Sequence, residues 1–180
     1  MLRLSPMIRR AVCLLVSMLG LVCAPGCIST GGDLPDELDA VLAYEFAPVS
    51  LRISPLTRLE TGTDGAPELA VYFELADQWG HLAKSPGVVQ VQLYRIGGVS
   101  QGLATLADQW RADLTNPDRN SAMFDVTGMY RVPLADLPDW LSQRADGSGE
   151  AVRVRVRVFM RTIGRGGETI DLRDTFEKDF

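Results

Sequence analysis

No cysteine occurs beyond position 27 of this 180-residue chain; its three are Cys13, Cys23 and Cys27. Whatever folds downstream therefore has no disulfide, no thiolate nucleophile and no cysteine for a structural zinc site. Histidine is as scarce, with His81 alone. One imidazole can serve as a base, but a metal would need carboxylates to complete its shell, and the acid nearest in sequence is Asp77. G-x-S-x-G, H-E-x-x-H and the EF-hand spacing are all missing. The sequence thus points to no catalytic residue, no metal and no cofactor. A hydrolase working through some pair of the 23 carboxylates is the third-ranked reading. Positive charge is also short: 18 Lys and Arg stand against 23 Asp and Glu, a formal net of −5. Such a balance excludes nucleic acid as a partner and adhesion to anionic lipid by charge alone.

A long apolar run is missing too. The longest, Ala11–Ala24, has 14 residues, short of the roughly 20 that span a bilayer. It follows Arg3, Arg9 and Arg10 with no acid before it, which is the layout of a secretory signal peptide. Its end, Ala24-Pro25-Gly26-Cys27, resembles the lipobox of bacterial lipoproteins. In that family the cysteine thiol receives a diacylglycerol and the signal is cut just before it. The resemblance implies residues 1–26 as signal peptide and Cys27 as the lipidated first residue. Cleavage after Ala24 is the alternative, and Arg9-Arg10 also permits a twin-arginine export reading. Residues 27–36, small and polar after the cysteine, read as a flexible tether. Ile28 stands where some bacteria use aspartate to retain lipoproteins in the inner membrane, so the expected seat is the periplasmic side of the outer membrane. Removing the signal takes three basic residues and no acid, leaving 15 against 23 and a net of −8 over 154 residues. That length suits one domain, placed at 37–180.

Within that domain a two-residue period dominates. In 151–161, Val152, Val154, Val156, Val158 and Met160 alternate with Arg153, Arg155, Arg157 and Arg161. Side chains of a strand alternate between faces, so this segment has one dry and one wet face. Similar alternation at 48–54, 68–76, 88–96, 109–114, 129–134 and 168–176, with turn residues between, predicts about seven strands. The fold class is all-β: an antiparallel β-sandwich, Ig-like or transthyretin-like. Residues 36–46 and 136–144 predict short helices, each with an aspartate (Asp36, Asp136) as N-cap. A three-residue loop at Arg165-Gly166-Gly167 sets a register for the last hairpin. Arg161 then faces Asp171, Arg155 faces Glu177 and Arg153 faces Asp179. Met160 meets Leu172 and Val156 meets Phe176, while Asp174 falls on the dry face, which calls for a bulge or another register.

The candidate ligand-binding residues are Asp77, Trp79, His81, Lys84 and Trp140. Asp77 can cap the turn before Gly80, and Lys84 can pair with Asp77. Trp79 and Trp140, if exposed, could stack on sugar rings; Trp110 lies in phase with Ala112 and Leu114 and is expected in the core. The Leu-Ala-Asp-Gln-Trp of 75–79 recurs at 106–110, by coincidence or for a shared strand-end role. The pattern Asp77-x-x-Gly80-x-x-x-Lys84-x-x-Gly87, with Trp110 and Phe124-Asp125-x-Thr127-x-x-Tyr130, resembles small uncharacterised lipoproteins of planctomycete-like bacteria over residues 48–135. That resemblance implies a β-sandwich lipoprotein without an assigned activity. The expected function is a lipid-anchored, non-catalytic binding or structural module with an envelope protein as partner. A carbohydrate-binding module using Trp79 and Trp140 is the alternative.

Overall fold

The valine–arginine alternation becomes strand β8 (Arg153–Ile163) of a computed structural model that describes residues 45–97 and 103–180. Val154, Val156, Val158 and Met160 are fully buried. β8 turns back into β9 (Thr169–Asp179) in the expected register: Arg153 opposes Asp179, Arg155 Glu177, Val156 Phe176, Met160 Leu172 and Arg161 Asp171. No bulge separates Val158 from Asp174. The Asp174 carboxylate is instead satisfied from outside the hairpin, accepting the Ile53 N–H at 2.8 Å. A carboxylate can face a strand's dry side when a backbone donor meets it there. β8 also pairs with β5 (Gly87–Ile96), and β5 with β6 (Ala104–Asp113), giving the four-stranded sheet β6-β5-β8-β9.

The second sheet is built around β3 (Pro67–Ala76), whose Leu69, Val71, Phe73 and Leu75 are fully buried. β4 (Leu82–Ala83) and β7 (Tyr130–Leu134) pair along one edge of β3. β1 (Ser50–Ile53) and β2 (Arg58–Thr61) follow each other along the opposite edge. Between them the Thr57 hydroxyl accepts the Tyr72 N–H at 3.1 Å and replaces one rung of the ladder.

Leucine, valine and aromatic side chains from both sheets meet in one core. Each open side is fastened by side-chain bonds to backbone. On one side Asp174 takes Ile53 N–H, and Lys178 donates to the Thr57 carbonyl at 2.7 Å. On the other, the Trp110 indole donates to the Ala135 carbonyl at 2.8 Å.

Among the described residues nine strands form where seven are expected. β2 has one apolar residue, Leu59, and β4 two residues in all, so neither carries a period of its own. β6 begins five residues before the expected 109 because Ala107 is an extra residue between the pairs Tyr94–Leu106 and Leu93–Asp108. That bulge breaks the alternation. Two short helices are described, α1 (Pro117–Met123) and α2 (Asp139–Ala145). α1 was not expected, although Asn116 caps the Arg119 N–H at 3.0 Å with a proline behind it. Asp136 does not cap α2; it takes φ +55°, and Pro138 holds the N-cap position without a side-chain bond. The signal, Cys27, the tether and residues 36–44 of the expected first helix lie outside the described residues.

Four hairpin loops share one construction: Gly62–Ala66, Asp77–His81, Asp125–Met129 and Gly164–Glu168. In each, the first N–H donates to the fifth carbonyl and the fourth N–H to the first carbonyl, at 2.7–3.1 Å. The fourth residue is always glycine, with φ between +80° and +83°. This is a type I turn closed by a left-handed residue, the geometry that matches the twist of the flanking strands.

Candidate functional site

Asp77 directly follows β3 and is itself buried. Its Oδ1 accepts the N–H groups of Trp79 and His81, each at 2.9 Å. Oδ2 lies 3.3 Å from Nδ1 of the exposed His81. Burial raises the Asp77 pKa, but the two backbone donors and the imidazole outweigh it and hold the carboxyl below its ordinary range. A carboxylate so committed to its own loop is a brace. Lys84 is not its partner: Nζ bonds the Ser121 hydroxyl at 3.0 Å and sits 5.3 Å above the Phe124 ring. Among the described residues no three His, Cys, Asp or Glu side chains gather as a metal site would need.

The loop thrusts Trp79 outward, 53% exposed, with Phe46 at 5.6 Å and His81 at 6.3 Å between ring centroids. Trp140 lies far away. It packs on the core from α2 and carries the Arg95 guanidinium 5.2 Å over its ring. Arg95 is eight residues along β5 from Gly87, about 26 Å at strand rise, and Gly87 pairs with Thr162 at the end where Trp79 lies. The two indoles do not form one platform. Trp110 packs against the core as expected. The repeated pentapeptide has no shared role, since 75–79 runs out of β3 into a loop while 106–110 lies within β6.

The outer face of the β6-β5-β8-β9 sheet holds a second group that sequence reading treated only as a paired, solvated surface. The pairing is there. Arg155 meets Glu177 at 2.7 Å, Arg161 meets Asp171 at 2.9 Å, and Arg153 meets Glu177 at 3.1 Å. Arg157 lies over the Tyr94 ring. Arg111 and Arg173, both exposed, have no acid within ion-pair distance among the described residues. They end one rung across four strands: Arg111, Gln90, Phe159, Arg173. Phe159 interrupts the run of wet-face arginines at 153, 155, 157 and 161, and it is the sequence signal that marks the place. With Val88 it floors an open concavity of about 550 Å³ rimmed by Arg111, Arg161 and Arg173. Its lone carboxylate, Asp171, is hydrogen-bonded and paired to Arg161, which lowers its pKa. Three guanidinium groups thus stand around an apolar and amide floor, with the one carboxylate held by Arg161. Guanidinium groups so placed can pair with anionic groups, carboxylate or phosphate.

No protein-family model, no curated protein and no solved structure matches the chain.

Proposed function

We propose that this protein is a lipid-anchored, non-catalytic module of the cell envelope. It is held by Cys27 on the periplasmic side, at the outer membrane, and docks an acidic segment of another envelope protein on the outer face of the β6-β5-β8-β9 sheet. The observation that carries the reading is the rung with arginine at both ends and Phe159 within it. In a chain with five more acids than bases, that face bears six arginines (111, 153, 155, 157, 161, 173) against four acids (113, 171, 177, 179). Three strand spacings separate Arg111 from Arg173, about 14 Å. An extended segment covers that distance in four residues, so two carboxylates four apart with an apolar residue between them fit the rung.

The test is crosslinking in living cells followed by mass spectrometry, comparing the wild-type chain with Cys27→Ser and with Arg111→Glu/Arg173→Glu. One envelope protein is expected to crosslink to wild type, to be lost with Cys27→Ser, and to fall about tenfold on charge reversal. A partner captured equally well by the charge-reversed chain refutes the face. A wild-type chain that captures nothing refutes the module.

A further inference from the structure

Exposed apolar side chains are unevenly placed on the sandwich. Among the described residues nine large ones are exposed, and six gather at one end: Phe46, Val49, Trp79, Leu82, Val126 and Ile163. The contacts that place them together are specific. Val49 N–H bonds the Ala76 carbonyl beside the Trp79 loop, and Leu82 pairs with Ala76. The Leu82 side chain touches Gly128 in the loop whose tip is Val126. Ile163 precedes the β8–β9 loop, whose Arg165 donates to Glu45 at 2.6 Å and to Gln78 at 2.9 Å. Gln78 in turn donates to Glu45 at 3.0 Å. Glu45 is thus fixed to two loops, and the chain arrives from its N-terminal side at this same end.

We infer that this end of the sandwich rests on the bilayer, with Trp79 and Phe46 in the headgroup layer and the strands rising away from it. The inference rests on the lipid anchor proposed above. Seventeen residues separate Cys27 from Glu45 and reach about 60 Å at most, so an anchored domain remains within contact distance of the lipid surface. Indole is suited to that layer, with an apolar body and a polar N–H. Two loop tips carrying Trp79 and Val126 can enter it without disturbing the core, because both side chains already stand in solvent. With this end down, the arginine-bearing sheet face points sideways, toward a neighbour standing on the same membrane.

The chain carries three tryptophans, which supply their own controls. The full protein is produced with its signal in cells fed 5-fluorotryptophan, purified from membranes, and reconstituted in phosphatidylcholine vesicles bearing a headgroup nitroxide. Trp79→Phe assigns its fluorine resonance. Selective broadening of the Trp79 line, with Trp110 and Trp140 unaffected, is the expected result. A Trp79 line as sharp as the other two in protein that stays with the vesicles overturns the orientation alone. Protein that carries no lipid and separates from the vesicles overturns the anchor, and the orientation falls with it.

Discussion

Tyr130 shows what single residues contribute here. Its ring stacks on Phe73 at 5.2 Å and meets Phe124 edge-on at 5.0 Å. Its hydroxyl accepts the Ser85 N–H at 3.0 Å and lies 3.0 and 3.2 Å from the Ser85 carbonyl and Asn120 Oδ1. Burial raises its pKa against the pull of those partners, so the phenol stays a neutral donor and acceptor. Tyr130→Phe preserves the ring packing and strands a buried N–H. A loss of about 1–3 kcal/mol by urea unfolding is expected; a neutral substitution would mean that water reaches Ser85. At this scale the sequence is readable where partners are close in the chain. The capping role of Asp77 follows from D-x-x-G because both donors lie within four residues. Lys84 misled because its partner, Ser121, is 37 residues away on a helix that the two-residue period does not reveal.

Elements were legible in proportion to their length and charge pattern. The β8–β9 register was set by three arginine–acid pairs and two apolar pairs pulling the same way, with a glycine where the loop needs one. β2 and β4 were not legible, since β3 supplies the ladder that makes them strands. Glycine divides by cause at this scale. Gly80 has φ +83° and nothing within 4 Å of an added Cβ, so Gly80→Ala meets backbone strain alone, about 1 kcal/mol. At Gly87 an added Cβ would stand 2.5 Å from the Arg161 carbonyl and 2.8 Å from the Met160 methyl. Gly87→Ala must push strands apart and should cost about 1–3 kcal/mol. Equal losses in matched thermal unfolding experiments would show that the β5–β8 contact yields easily.

For the molecule as a whole, acid is the informative variable. Thr127 and Met129 donors lower Asp125 despite some burial, and the Arg131 and Arg58 guanidinium groups lower Glu60 against its burial. Asp77, Asp171 and Glu177 are lowered as well. A carboxyl held below its ordinary value binds fewer protons in the folded chain than in the unfolded one. Its contribution is present above the unfolded value, near 4, and disappears as pH falls through the folded value. The melting temperature should therefore decline below about pH 4. Asp77→Asn, which keeps the acceptor and removes the charge, should flatten that decline. An unchanged slope would place the acid sensitivity elsewhere. The sandwich class was readable from the count of alternating segments, but the closing of its sides was not. Asp174 with Ile53 and Trp110 with Ala135 are contacts between segments 121 and 25 residues apart, and no local pattern announces them.

The bulge at Ala107 has a consequence for molecules held side by side. β6 is the last strand of its sheet, and among the described residues no strand pairs with its outer edge. Two copies of β6 laid together could propagate into an aggregate if their backbones matched along their length. The extra residue puts the donors and acceptors on either side of it out of step, so a second edge finds a few bonds and then a mismatch. A one-residue irregularity thereby works against edge-to-edge growth between copies of the chain.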